Sequence, residues 1–539
     1  MLLENVKLPA IQPFTSGYLN QDEKVLSFFH NGYDGQEAFN ARKKELQDRS
    51  FNRKDLADCI ENYMKDLPAG VAVQHSLDKL RRDGLVVIGG QQAGLLTGPL
   101  YSIHKVISIV QLAKVQEKKL NTPVLPVFWI AGEDHDFLEI NHLFIESDGQ
   151  MNKKGYPERI ADKRMASSIE YDSDTMKRWV RSVLRDFGET VHTKELLSKL
   201  DAAIEQATSL SKLFAYIIMD MFKDDGLLVI DAADPSLRKL EAPFFKSLLY
   251  QSEKLTQSVL QQQSKIKEHN FKPLIEIASN AVNLFITINE ERVLLYRTEH
   301  GFSDKQGHIT FTYDELIELM DNEPERFSNN VVTRPLMQEW LFPSLAFIAG
   351  PGEIAYWAEL KTAFEKMEIN MPPIVPRLSI TLVERDVKQK IDELEMDLKE
   401  VLMQGTDMER AKFWNSVKDE KMDQFIDETE KLLDEQYEKI QSKAGELHAG
   451  LLPIVTKNLS IHQKQLAFLK KKSDHYISFK HEVTLKKYDR ISSSLRPENG
   501  PQERIWNIFY FINRYGYEFV HSISNIEYEF DHSHKVVFL

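Results

Sequence analysis

Two apolar runs that empty into glycine constrain this chain most. Residues 85–90 (LVVIGG) and 123–131 (PVLPVFWIA) show no polar alternation, so each is read as a strand buried on both faces, as in a parallel sheet covered by helices. Between them Ile103, Val106, Ile107, Val110 and Leu112 recur at helical spacing, which predicts a strand, helix, strand unit with a right-handed crossover. Further buried strands are expected at 227–231, 345–348 and 373–375, each near a helical segment. That alternation predicts an α/β fold with a parallel-sheet core.

At 539 residues the chain is too long for one core of about 150 residues. The core, predicted over 1–149, 226–281 and 331–383, is interrupted twice: by a helical insertion over 150–225 and by a small β-containing insertion over 282–330. In the latter, VNLFITINEERVLLYR reads as two strands around a turn at Asn289-Glu290-Glu291. From Glu384 the texture changes. Val387, Ile391, Leu394, Leu398 and Val401 step by four and three, and Ile426, Leu433, Ile440 and Leu447 by seven. These predict an antiparallel coiled-coil domain over 384–480, built from one helix at 384–404 and a second at about 415–480, bent at Gly445, Gly450 and Pro453. The aromatic-rich segment 481–539 is expected to return to the core.

Charge and cysteine content narrow the function. The formal net charge of −14 offers no overall attraction to nucleic acid or anionic lipid. Cys59 is the only cysteine, which excludes an intrachain disulfide and a multi-cysteine zinc site and fits a reducing compartment. The first residues lack a basic segment followed by an apolar one, and no stretch of 18 apolar residues occurs, so a cytoplasmic, unanchored protein is expected.

Chemistry concentrates where predicted strands end. The turn from Gly89 through Gln91, Gln92 and Gly98 to Tyr101 permits close backbone approach, and its paired amides suit a polar ligand, with His104 and Lys105 one turn further on. It matches neither GxGxxG nor the Walker pattern. Trp129 leads into Glu133, Asp134, His135 and Asp136, which are expected to orient a polar substrate, His135 being suited to acid–base work near neutral pH. A helix starting near Asp134 would instead align His135, Glu139 and His142 for zinc. A third strand end carries Glu353, Tyr356 and Trp357: a carboxylate for a substrate amine and aromatic rings to wall a pocket. Near the C-terminus a basic, hydroxyl-rich loop holds Arg490, Ser492, Ser493, Ser494, Arg496, Arg504 and Trp506, a set able to bind phosphate and stack on a base.

Taken together, the blocks GGQQAGLLTGPLYSIHK, FWIAGEDHDFLEINH, TRPLMQEWLFPSLAFIAGPGEIAYWAELK, IVPRLSITLVE and LRPENGPQERIWN resemble the cysteine ligase family of bacillithiol biosynthesis, the BshC family, over nearly the whole chain. The resemblance implies a Rossmann-like core with two connecting-peptide insertions and a coiled-coil domain. It implies amide formation between the carboxyl of cysteine and the amine of glucosaminyl malate. It also implies a bound adenine nucleotide, ATP or ADP, with no metal beyond magnesium accompanying it. An HIGH-type phosphate motif would fall at Thr97 to His104, where the match is partial, and no KMSKS-type loop is found. On this reading His104, His135 and Asp134 are catalytic; Gln91, Gln92, Gly98, Tyr101, Trp129, Asp136, Glu353, Tyr356 and Trp357 bind substrate; and the basic segment binds nucleotide. A homodimer through the coiled coil is expected. A coiled-coil scaffold without activity and a metal-dependent amide or glycoside hydrolase are the other classes open to the sequence.

Overall fold

The computed structural model describes residues 1–9, 12–147, 149–157 and 164–539. The chain forms two units: one of 1–147, 151–382 and 502–538, and a second built on 383–501. The segment 481–501, expected with the C-terminal part, thus belongs to the second unit.

In the first unit the five predicted strands form one sheet. They are β1 (Leu85–Gln91), β2 (Val124–Ile130), β3 (Leu228–Asp231), β4 (Ser344–Ala349) and β5 (Ile374–Pro376), in the order β5-β4-β1-β2-β3. All neighbours run parallel; Leu85 to Gln91 pair with Val124 to Ile130, and Phe347 lies between Ile88 and Ile374. Every residue of β2, β3 and β4 is buried, the outcome required of strands covered on both faces. Helix α1 (Tyr101–Leu120) makes the crossover from β1 to β2. After β3, helix α2 (Pro235–Glu268) begins with Asp234 accepting from Ser236 N and Leu237 N, and with Pro235 in its first turn. Beyond α2 the chain builds a second, antiparallel sheet, and helix α3 (Pro351–Ala358) follows β4. Strand order therefore reverses between β1 and β4, and open α/β sheets bind ligands beyond the strand ends at such a reversal.

The expected β insertion is a hairpin of Ala281–Ile288 and Glu291–Thr298. Asn289 and Glu290, both at positive φ (50° and 68°), make the two-residue turn whose twist suits a hairpin. The helical insertion contains Ser173–Phe187, Thr193–Gln206 and Leu210–Phe222; positions 158–163 of that expected insertion lie outside the described residues.

The second unit corrects the coiled-coil reading. The stretch 384–404 is two short helices, Arg385–Glu393 and Leu398–Gln404, broken where Glu395 takes φ 52°. The antiparallel pair forms inside the single helix expected over 415–480: α4 (Glu420–Leu447) turns at His448 to Leu451 into α5 (Leu452–Lys480). Gly450 lies in the turn and Pro453 in the first turn of α5, where its missing N–H is not needed. Gln463 to Asp434 (2.9 Å) and Lys470 to Asp427 (2.9 Å) set the antiparallel register. The segment expected as a basic loop is also helical, α6 (Glu482–Leu495).

One turn of the first unit is held against its own preference. Leu96 (φ 47°) and Thr97 (φ 68°) are both left-handed, which costs on the order of 1–3 kcal/mol per residue. Asn507, buried, donates from Nδ2 to Leu96 O (2.8 Å) and Gly98 O (2.7 Å), and Leu100 N donates to Trp506 O (2.8 Å). Asn507→Ala should lower stability by about 2–4 kcal/mol, because two buried carbonyls lose their donor. A shift below about 0.5 kcal/mol in the urea transition of this unit would show that the turn does not need the clamp.

A pH effect follows from His534, whose Nε2 lies 2.7 Å from Thr381 Oγ1. Burial first, then His104, Arg377 and Lys535, pull its pKa from 6.5 to about 4, against the opposing charge of Glu503. Between those values the unfolded chain takes up a proton that the fold refuses, so stability falls as pH drops from 6.5 toward 4. The melting temperature should be lower at about pH 5 than at about pH 7, and His534→Gln should shrink that difference. Equal drops in both proteins would contradict this account.

Candidate functional site at the strand-order reversal

The site grows from the carboxyl ends of β1, β2 and β4. Gly90 must be glycine, because a Cβ there would lie 2.8 Å from Trp129 O. Its carbonyl accepts from Lys105 Nζ (2.7 Å), an ammonium on α1 that is only 2% exposed and is also ion-paired with Glu353. Glu353 Oε2 further accepts from Gly350 N (2.7 Å), closing the first turn of α3. Burial lowers the Lys105 pKa and Glu353 opposes it. The carboxylate that was expected to receive a substrate amine thus already holds an ammonium of the protein.

Around this pair stand further cations and phenols. Arg334 donates to Tyr356 OH (2.6 Å) and Gln338 Oε1 (3.3 Å), and burial pushes the Tyr356 pKa up to about 12. Tyr101 is half-buried; burial raises its pKa, while Arg504 and Arg377 oppose the rise. Arg377 grips Glu503 through two bonds (2.8 and 2.6 Å). Against the burial that would raise it, this guanidinium holds the Glu503 carboxyl well below the usual carboxylate range.

Toward β2 the charge turns acidic. Gln92 Nε2 donates to Asp134 Oδ2 (3.1 Å) and Glu139 Oε2 (2.9 Å). Asp134 lies 3.7 Å from Arg292, and Arg292 Nη1 lies 3.3 Å from His135 Nδ1. Desolvation raises the Asp134 pKa although its side chain is 48% exposed, and Arg292 opposes the rise. Behind this wall Arg238 is paired with Glu133 and Glu241, all three buried. Gly132 admits no side chain, since a Cβ would meet Ser167 Oγ at 2.0 Å and Asp231 Oδ1 at 2.4 Å.

Gln91, Gln92, Tyr101, Asp134, His135, Glu353 and Tyr356 thus lie at the strand ends, with Gly98 in the clamped turn before α1 and Asp136 exposed beside His135. Other expected residues lie elsewhere. Trp129 and Trp357 are 0% and 1% exposed, the first near the end of β2 against Phe342, the second between Phe347 and Phe364, so neither offers a ring face to a ligand. His104 faces inward: its ring is fully buried, and Nδ1 lies 3.0 Å from Glu503 Oε2. Burial lowers its pKa and Glu503 opposes. The zinc alignment does not form, because the helix at this place is only Phe137–Ile140 and His142 opens a strand. Among the described residues no group of three or more His, Cys, Asp and Glu is arranged to hold a metal.

The basic segment is divided between the units. In the second, Arg490 binds Glu384 and Asp386, Arg496 donates to Leu402 O (2.8 Å) and Asn499 O (2.6 Å), Ser493 and Ser494 are buried, and Ser492 is half-buried. In the first, Arg504 is exposed and Trp506 is buried against Tyr510, so this conformation presents no indole face to a base.

Sequence reasoning did not single out Arg292, Arg334, Arg377, Glu503 or Asn507 as site residues. Arg292 is buried in the strand Glu291–Thr298, where a charged side chain requires partners, but no period-two alternation in that strand marks it. The others meet the site only through long-range packing.

Residues 1–378 match the family described as "Bacillithiol biosynthesis BshC, N-terminal Rossmann-like domain", and 380–539 its "C-terminal coiled-coil domain". The chain is 40% identical to a protein of Geobacillus thermodenitrificans, 38% to one of Bacillus licheniformis and 39% to one of Bacillus cytotoxicus, each named "Putative cysteine ligase BshC" and each aligned over 100% of both chains. With both domains matched in order and relatives aligned end to end, the chain belongs to the BshC family.

Proposed function

We propose that this protein is a ligase of bacillithiol biosynthesis, joining the carboxyl group of cysteine to the glucosamine amine of glucosaminyl malate. The observation that carries the reading is the charge division at the strand ends. Gln92 is bracketed by the acids Asp134 and Glu139, a setting for amines, while Lys105, Arg334 and Arg377 gather around Glu353 and Tyr101, a setting for anions. An amine attacks an unactivated carboxylate poorly, so the cysteine carboxylate is first activated with a nucleoside triphosphate as an acyl adenylate or acyl phosphate. Asp134 and His135 act at the amine. His104 acts indirectly, through Glu503 and Arg377. A reaction that makes a thiol suits the reducing cytoplasm, where this reading places the protein.

The adenine nucleotide is assigned to the arginine- and serine-rich segment. Arg490 and Arg496 supply guanidinium donors, and the Nε of Arg496 is buried without a partner among the described residues. A homodimer through the helical hairpin is part of the proposal, supported by Phe425, Leu432, Ile440 and Leu447 on α4 and Ile454, Ile461, Phe468 and Tyr476 on α5, all exposed apolar side chains.

The purified protein, given cysteine, glucosaminyl malate and each nucleoside triphosphate in turn, should form the cysteinyl amide, identified by mass spectrometry. Asp134→Asn should lower kcat/KM by about 100-fold. Absence of product with every nucleotide overturns the reading. In equilibrium dialysis, Arg496→Ala should weaken ADP and ATP binding by about tenfold, and unchanged affinity removes the nucleotide assignment.

A further inference from the structure

Cations near the strand ends are mostly paired with the protein's own carboxylates. Lys105 is paired with Glu353, Arg377 with Glu503, and Arg238 with Glu133 and Glu241, while Arg292 lies 3.7 Å from Asp134. Arg334 is the half-buried exception, with no carboxylate at ion-pair distance among the described residues. Arg504 also lacks one, but it is exposed and water can serve it. The helix that carries Arg334 gains nothing from a cation there. The residue lies in the first turn of Thr333–Leu341, where the helix dipole disfavours positive charge.

Two neutral side chains hold this guanidinium, and each keeps a donor in reserve. Arg334 Nη2 donates to Tyr356 OH (2.6 Å). A guanidinium can only donate, so the phenol oxygen is the acceptor and its own hydrogen is left over. No acceptor for that hydrogen stands among the described residues. Burial pushes the Tyr356 pKa up to about 12, so the hydrogen is in place at neutral pH. Gln338, 2% exposed, turns Oε1 to Arg334 Nη1 (3.3 Å), and its Nε2 is buried with no acceptor among the described residues. Donors left unused beside an unpaired cation are unfavourable until an anion completes them.

We infer that Arg334 and Tyr356 form a carboxylate subsite beyond β4, in which the guanidinium and the phenol hydroxyl both donate to one carboxylate of a substrate. Which substrate rests on the proposed ligation; the subsite does not. Tyr356 stands one helical turn after Glu353 on α3, and Glu353 is occupied by Lys105, so the charge left unpaired here is that of Arg334 alone. One positive charge with a phenol donor matches one carboxylate. The phosphate chain of a nucleotide carries several negative charges and calls for several free cations. Both proposed substrates carry the required group: cysteine has one carboxylate and the malate part of glucosaminyl malate has two.

Isothermal titration calorimetry on the full-length protein without nucleotide tests this with four probes: cysteine, cysteine methyl ester, glucosaminyl malate and methyl glucosaminide. The ester and the glucosaminide are the counterparts that lack a carboxylate. Tyr356→Phe keeps the ring and removes only the hydroxyl; it should weaken one of the two substrates by about tenfold and leave that substrate's counterpart unaffected. Arg334→Gln should weaken the same substrate by about 30-fold or more, and Arg334→Lys, which keeps the charge without the fork, by less. A loss confined to cysteine assigns its carboxylate to the subsite, and a loss confined to glucosaminyl malate assigns a malate carboxylate. Unchanged affinity for both substrates in Tyr356→Phe overturns the inference, as does an equal loss for a substrate and its counterpart, or a wild-type protein that binds neither substrate. If Arg334→Gln does not fold, Tyr356→Phe decides alone. If the selective loss is found but no ligation product forms with any nucleotide, the proposed reaction falls and the subsite stands.

Discussion

The site depends on one buried ion pair placed where strand order reverses. Lys105 stands on α1, which follows β1, and Glu353 opens α3, which follows β4, so their contact ties together the two elements that leave the paired strands where the order reverses. An ammonium so deeply buried cannot remain unpaired without a penalty of several kcal/mol. Gly90 O and Glu353 therefore have to be where they are, and glycine at position 90 is a consequence of the same close approach. With Glu353 occupied by Lys105, the acidic side chains that Gln92 meets at the strand ends are Asp134 and Glu139, beyond β2.

A second network supports the first from the interior. Glu503, on the segment that returns to this unit, joins Arg377 just beyond β5 to His104 on α1. One carboxylate shared by a guanidinium and an imidazole satisfies charges that burial would otherwise penalise, and Asn507, four residues on, clamps the left-handed turn before α1. The C-terminal aromatic segment thus does more than cover apolar surface. It shapes the turn through which β1 enters α1.

The second unit illustrates how far periodicity can be read. A seven-residue repeat identifies a seam, and Ile426 in it is buried. Ile440 and Leu447, in the same repeat, are 47% and 71% exposed. Repeat spacing specifies which residues share a helix face, not which helix that face meets. Here the chain reverses at His448 to Leu451, and α4 pairs with α5, so the short helices before them are not part of the seam. Gly450 and Pro453 had signalled a bend; the structure makes it a full reversal.

The α/β class, the five buried strands, the hairpin turn at Asn289-Glu290 and the clustering of polar residues after β1, β2 and β4 were legible in the sequence, because each is written in local hydrophobic pattern and turn chemistry. Which of those polar residues face outward was not. Trp129, His104 and Trp357 are sealed inside, Trp129 against Phe342 and His104 against Glu503 from distant segments, and Trp357 between Phe347 and Phe364. Arg292, Arg377 and Glu503 reach the site from distant segments, and Arg292 and Arg377 oppose the rise in pKa that burial imposes on Asp134 and Tyr101. Local sequence determines what a segment can become. The electrostatic state of a site is a sum over neighbours in space, and only the tertiary structure decides who those neighbours are.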